Sequence, residues 1–132
     1  NPGYYPAKCP GREGNIYVNS PKIIRLSDVY LIAAEAAVKT GGDATSYINT
    51  LRKNRIEGYT DVASVTLEDI LFERRIELFA ENSMAFDYWR NKMSVKNPNV
   101  GEVNYDDYRV ILPIPQDEIN LAPDVLIQNP GY

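Results

Sequence analysis

Apolar residues recur with helical spacing between Lys22 and Asn97, a stretch without proline, while four prolines lie in residues 2–21 and five in 98–130. Stop and start signals divide this middle into four predicted helices. Ser27 is an N-cap candidate for a helix over Asp28 to Thr40 that stops at Gly41-Gly42, and Asp43 caps a second over Ala44 to Arg55, ended by Gly58. These two should form a tight antiparallel pair. Thr66-Leu67-Glu68-Asp69 imitates a capping box and opens a third helix running to about Glu81. Asn82 suits the left-handed conformation that ends a helix, and Ser83 restarts a fourth to about Met93. In the flanks, Asn15 to Asn19 and Tyr108 to Ile114 read as strands, the second pushed to an edge by Pro113 and Pro115.

The first helix is apolar almost all round and carries Ala33, Ala34, Ala36 and Ala37, small side chains that let a neighbouring backbone come close, so it should be sandwiched between layers. The second is amphipathic, with Ala44, Tyr47, Ile48 and Leu51 on one face. Together they resemble one tetratricopeptide-type hairpin. On the third, Leu67, Ile70, Leu71 and Leu78 make one stripe and Phe72, Ile76 and Phe79 a second. Arg74 falls inside the first stripe, where an unpaired guanidinium costs several kcal/mol, so a structural ion pair with Glu35, Glu81 or Asp87 is expected rather than a ligand contact. The pattern predicts a mainly α fold: a helical hairpin plus two further helices, with short edge strands and long loops. It reads as a single domain over 1–132, with a lead-in at 1–21, a helical core at 22–97 and a strand and loop tail at 98–132.

Composition narrows the chemistry. A chain of 132 residues can bury one real core without disulfide or metal. It has no histidine, so imidazole bases, Ser-His-Asp triads and His-ligated zinc cannot be built from it, and the single Cys9 forms neither an internal disulfide nor a cluster. No carboxylate pattern has calcium-loop spacing, so neither metal nor cofactor is expected. With 14 basic and 18 acidic residues, the net charge of -4 disfavours nucleic acid. From Gly101 onward, Glu102, Asp106, Asp107, Asp117, Glu118 and Asp124 face only Arg109, which reads as a solvated acidic face. The longest mostly apolar run, Val29 to Val38, is half a bilayer span and contains Glu35, and Cys9 lacks the preceding apolar stretch of a lipoprotein cysteine. A start at Asn1 rather than Met suggests a processed or excised piece.

Ordered motifs carry a resemblance. Ile24-Arg25-Leu26-Ser27-Asp28-Val29-Tyr30-Leu31-Ile32-Ala33-Ala34-Glu35-Ala36 is followed by Asn49 and Arg52 in an N-x-x-R spacing, then by Glu73-Arg74-Arg75-Ile76-Glu77-Leu78. Phe86-Asp87-Tyr88-Trp89-Arg90, Leu112-Pro113-Ile114-Pro115 and Gln128-Asn129-Pro130-Gly131-Tyr132 complete the set. In this order they resemble the SusD/RagB family of Bacteroidetes outer-membrane nutrient-binding lipoproteins, over roughly residues 22–132 and in its C-terminal subdomain only. Asn82 stands where that family usually has Gly, and Ser83-Met84-Ala85 replaces its usual basic and aromatic residues. The resemblance implies tetratricopeptide-like packing, a cell-surface protein lipid-anchored through an N-terminal part, and binding of oligosaccharide or another nutrient. It also implies a SusC-like TonB-dependent transporter as partner. Glu35, Arg74, Asp87 and Arg90, on matched helices, are expected to form a structural ion-pair network.

Aromatic rings stack on the apolar faces of pyranose rings, so loop aromatics are the ligand candidates: Tyr4, Tyr5, Tyr59, Tyr105 and Tyr108, with Trp89, which shares a helix face with Phe86 and Met93. Tyr30 and Tyr47 fall on helix stripes and read as core. No catalytic residue is expected. Asp106-Asp107 point apart, and Glu73/Glu77 form a common exposed i,i+4 pair, so neither builds a glycosidase dyad. Asn-Pro-Gly-Tyr at both ends could imitate an adaptor-binding turn but reads as β-turn chemistry. The expected function is non-catalytic glycan or nutrient binding; the alternative is a helical protein–protein interaction scaffold. Exposed loop aromatics beside polar side chains favour the first, and an exposed aliphatic patch the second.

Overall fold

Arg25, rather than Ser27, caps the first helix. In the computed structural model, which describes Asn15, residues 23–81 and residues 84–132, α1 spans Leu26–Thr40 and Arg25 is its extended N-cap. Arg25 O accepts from Asp28 N and Val29 N. Its guanidinium is anchored on Glu77 at 3.2 Å and Glu81 at 3.0 Å, so a tertiary ion pair overrides the local capping preference of Ser27, which is buried inside the helix. At the other end Gly41, at φ 75°, turns the chain left-handed as the stop signal predicts.

α2, Thr45–Lys53, is shorter than expected at both ends. Ala44 occupies the cap position, yet Asp43 Oδ1 still accepts from Ser46 N at 3.2 Å. Past Lys53 the chain tightens, with Arg55 N and Ile56 N both closing on Arg52 O. α3, Leu67–Glu77, starts on the expected capping box: Thr66 Oγ1 accepts from Asp69 N, and Asp69 Oδ2 accepts from Thr66 N. It ends a turn early, because Leu78 leaves helical geometry and Ala80 takes φ 66°. Asn82 and Ser83 lie outside the described residues, as does the strand expected around Ile16 to Val18.

The residues group into two compact units, Asn1–Asn82 and Ser83–Tyr132. In the first, α1 packs on both α2 and α3. Leu31, Ala34, Ala44, Ile48, Leu51 and Ile70 form its core, edged by Ala37, Val38 and Val65. Charge braces the same helices: Arg52 meets Glu73 at 2.8 Å and Arg55 meets Glu77 at 3.0 Å. Glu73 is buried, so Glu73/Glu77 is a bracing pair and not the exposed one expected. Arg74 is also buried, as expected, and meets the Asp28 carboxylate at 2.9 Å, a partner beyond the three anticipated. The last turns of α3 lie against the first turn of α1, and that register selects Asp28.

The Arg55 hydrogen bond holds the Glu77 carboxyl below its ordinary range, against the opposing effect of burial, with Ser27 and Arg25 helping. A carboxyl depressed on folding adds stability that is present above its unfolded value near 4.5 and lost as pH falls through the folded value. Glu77→Gln is therefore expected to cost about 1–2 kcal/mol at pH 7 and to flatten the acid side of the stability curve below about pH 5. Urea midpoints of both proteins from pH 3 to 7 check this.

The first unit leaves apolar surface uncovered. Leu26, Val29 and Ile32 of α1 are 73%, 46% and 54% exposed, so α1 is packed on one side rather than sandwiched. Phe72, Ile76 and Phe79, the second stripe of α3, are likewise exposed.

In the second unit α4 spans Met84–Arg90 and stops short of Met93, since Lys92 turns at φ 58° and Met93 N closes on Tyr88 O. A hairpin absent from the sequence reading follows: β1, Val95–Asn97, pairs antiparallel with β2, Gly101–Val103, with Val95 opposite Val103. The strand expected over Tyr108 to Ile114 is instead a 3-10 turn, Tyr108–Val110, capped by Asp107 and followed by extended chain. Side-chain amides replace a strand partner there. Gln128 both accepts from Ile114 N and donates to Ile114 O at 2.9 Å, and Asn129 Nδ2 donates to Leu112 O at 2.7 Å. A short helix, α5 (Gln116–Leu121), unanticipated in the sequence, begins after Pro115. Among the described residues, five α-helices and one small two-stranded sheet make a mainly helical fold.

Candidate functional site

After β2 the chain turns through Asn104 to Asp107, where Asp107 N closes on Asn104 O at 3.1 Å. Asp107 accepts from Arg109 N, and the Arg109 guanidinium grips the same carboxylate at 2.8 and 2.6 Å. Arg109 Nη1 and Nη2 also reach the carbonyls of Val100 and Glu102, tying the turn to the hairpin. Tyr105 and Tyr108, on this braced turn, are 44% and 47% exposed.

Tyr108 meets the C-terminal motif. Its ring stands edge-on to Tyr132, with centroids 5.1 Å apart, and Tyr132 Oη donates to Ile111 O at 3.1 Å. Gly131, at φ 96°, lies beneath the Tyr108 ring. Tyr108 and Tyr132 thus form a tyrosine edge, and Asn104, Tyr105 and Asp106 are exposed on the turn that leads into it. Tyr132 was not among the expected ring candidates, because Asn-Pro-Gly-Tyr reads as β-turn chemistry.

The other ring candidates are held differently. Trp89 is half-buried, donates from Nε1 to Val103 O at 3.3 Å and meets Phe86 edge-on at 5.8 Å. Tyr59 belongs to the first unit; its hydroxyl donates to Asn49 Oδ1 at 2.8 Å, while Asn49 also bridges both backbone groups of Val62. Both rings could offer only a face. Tyr4 and Tyr5 lie outside the described residues.

The expected ion-pair residues divide between the units. Glu35 accepts from Lys39 at 2.8 Å and Arg74 meets Asp28 in the first, whereas Asp87 pairs with Arg90 at 2.8 Å in the second. Glu35, Arg74 and Asp87 are all buried. The first unit also holds an open groove of about 450 Å³ lined by Asp43, Thr45, Ser46, Asn49, Thr50, Lys53, Asp61 and Ala63. It is polar without an aromatic lining residue, so it offers no stacking surface. Asp107 is held down at about 2 by its hydrogen bonds from Arg109, opposite to the raised value a glycosidase acid requires. No group of three or more metal-ligating side chains, and no helix long and apolar enough to cross a membrane, occurs among the described residues.

Comparison with known proteins places these features. The sequence model of the SusD family matches residues 3–132. The starch-binding protein SusD of Bacteroides thetaiotaomicron is 34% identical over 122 residues, which cover 83% of this chain and 21% of that protein. A solved SusD superfamily protein from the same organism superposes with a TM-score of 0.83 at 37% identity, over 94% of this chain and 31% of its own. Another from Bacteroides vulgatus gives 0.70 at 38% identity, over 83% of this chain and 27% of its own. The chain therefore spans about a fifth of the curated relative's length and under a third of the solved ones. With the family's sequence pattern matched almost end to end and its fold reproduced, the chain belongs to the SusD family.

Proposed function

We propose that the chain is the C-terminal part of a non-catalytic nutrient-binding protein that takes an oligosaccharide or related nutrient. In this reading the whole protein sits at the outer-membrane surface, lipid-anchored through its N-terminal part, and serves a SusC-like TonB-dependent transporter. The tyrosine edge is the observation that carries it. Tyr105 and Tyr108 offer ring faces that a pyranose can stack on, with polar side chains beside them for its hydroxyls. The likeness to a starch-binding relative supports the ligand class. Tyr59 and Trp89 contribute at most a ring face, since their polar atoms are engaged.

Calorimetry against a panel of glycans tests the proposal. Tyr105→Ala is expected to weaken binding roughly tenfold, Tyr105→Phe to stay within about threefold because the ring remains, and Asp106→Asn to matter less than the alanine change. Reducing-end release should be nil; turnover abolished by changing Asp106 or Asp107 would overturn the reading. The alternative, a helical protein–protein interaction scaffold, is favoured by the exposed aliphatic residues of α1. It would gain if no glycan bound.

A further inference from the structure

Where the start of α1 meets the end of α2, a recess of about 220 Å³ opens to solvent. Leu26 and Tyr30 line it from α1, Thr50, Asn54 and Arg55 from the end of α2 and the turn after it, with the buried Leu51 among them. Tyr30, read from the sequence as core, is only half-buried, and its ring stands edge-on to the exposed Tyr47 with centroids 6.1 Å apart. The polar side chains are held in place by bonds made on one side only. Arg55 gives Nε and Nη2 to Glu77 at 3.1 and 3.0 Å, and Asn54 Nδ2 donates to Thr50 O at 2.8 Å. Arg55 Nη1 is left as a donor and Asn54 Oδ1 as an acceptor, neither with a partner among the described residues.

We propose that this recess binds a single neutral sugar ring, at a site separate from the tyrosine edge. Its volume is below the range of about 300–1,000 Å³ that drug-sized ligands fill, which suits one ring. Tyr30, Leu26 and Leu51 supply apolar surface for the C–H face of a pyranose. Each sugar hydroxyl can both donate and accept, so one ring can serve Arg55 Nη1 and Asn54 Oδ1 together, as a phenyl ring cannot. An anion is disfavoured, because Glu77 already meets the charge of Arg55 and Asn54 presents an acceptor. The site goes beyond the reading of the tail and stands without it.

Heteronuclear NMR of the labelled chain tests it, with glucose, galactose, mannose, glucuronate, phenol and adenosine each titrated at millimolar concentration. A neutral sugar is expected to shift the Asn54 side-chain amide and the Tyr30 and Arg55 backbone signals with a Kd of roughly 1–10 mM, the range one small ring can reach. Asn54→Leu, read at Tyr30, is expected to weaken that binding roughly fivefold or more, while Asn54→Asp, which keeps the acceptor, stays within about threefold. Tyr105→Ala should leave it unchanged. Glucuronate, phenol or adenosine binding there ahead of every neutral sugar would overturn the proposal, as would an Asn54→Leu chain that binds as before. Sugar-induced shifts confined to Tyr105, Tyr108 and Tyr132 would also overturn it, and would leave the function proposed for the tyrosine edge standing.

Discussion

Leu31→Ala is expected to lower the stability of the first unit by about 3 kcal/mol, with Leu26→Ala, on the same helix, staying within about 0.5 kcal/mol. Leu31 is fully buried in the core where α1 meets α2 and α3, with Ile48 and Ile70 as its large buried companions. Truncation there removes about three heavy atoms of transfer free energy and leaves a void, because neighbouring helices relax only in part. Leu26 is 73% exposed, so its loss removes little. Leu31→Met should cost under about 1.5 kcal/mol, since volume is nearly conserved. Far-UV circular dichroism in urea reads the effect, because α1, α2 and α3 hold most of the helical residues. Equal costs at Leu31 and Leu26 would contradict the assignment of packed and open sides.

Gly131→Ala is expected to destabilise the second unit by about 2–4 kcal/mol. A Cβ built there falls 2.5 Å from Tyr108 Cγ and Cδ2, inside any real contact distance, and φ 96° is itself strained for an L side chain. Relief requires Tyr108 to leave its edge-on contact with Tyr132, which moves the tyrosine edge as well as loosening the tail. The single tryptophan, Trp89, lies in the second unit and reports its unfolding by fluorescence. A Trp89 transition within about 1 °C of the unchanged protein would show that the ring yields freely. Under the glycan proposal the same substitution also weakens binding, whereas Asn129→Ala should cost only about 1 kcal/mol for its hydrogen bond to Leu112 O.

The matched motifs acquire a physical meaning in the fold. Asn49 pins the loop at Val62, Arg52 braces Glu73, and Arg25 and Arg55 converge on Glu77. Gln128 and Asn129 stand in for a strand beside the Leu112 to Ile114 segment. These motif residues therefore hold each unit together, and in the second unit Gln128 and Asn129 fix the tail that carries Tyr132.

By itself the sequence determined the features whose causes lie within a turn or two of chain. The Gly41 stop, the Thr66/Asp69 capping box and the apolar spacing of α1 to α3 are local, so they were legible, and the ordered motifs sufficed to indicate the family. Tertiary structure decided what depends on register between distant segments. Arg25 displaced Ser27 as a cap because Glu77 and Glu81 lie beside it, Arg74 gained Asp28 as a partner, and Tyr132 joined Tyr108. The segment over Tyr108 to Ile114 has strand-like composition, yet amides from residues 128 and 129 took the backbone partners a second strand would have supplied. Pattern specifies which groups need partners; only the packing of helices and tails specifies which partners are within 3 Å.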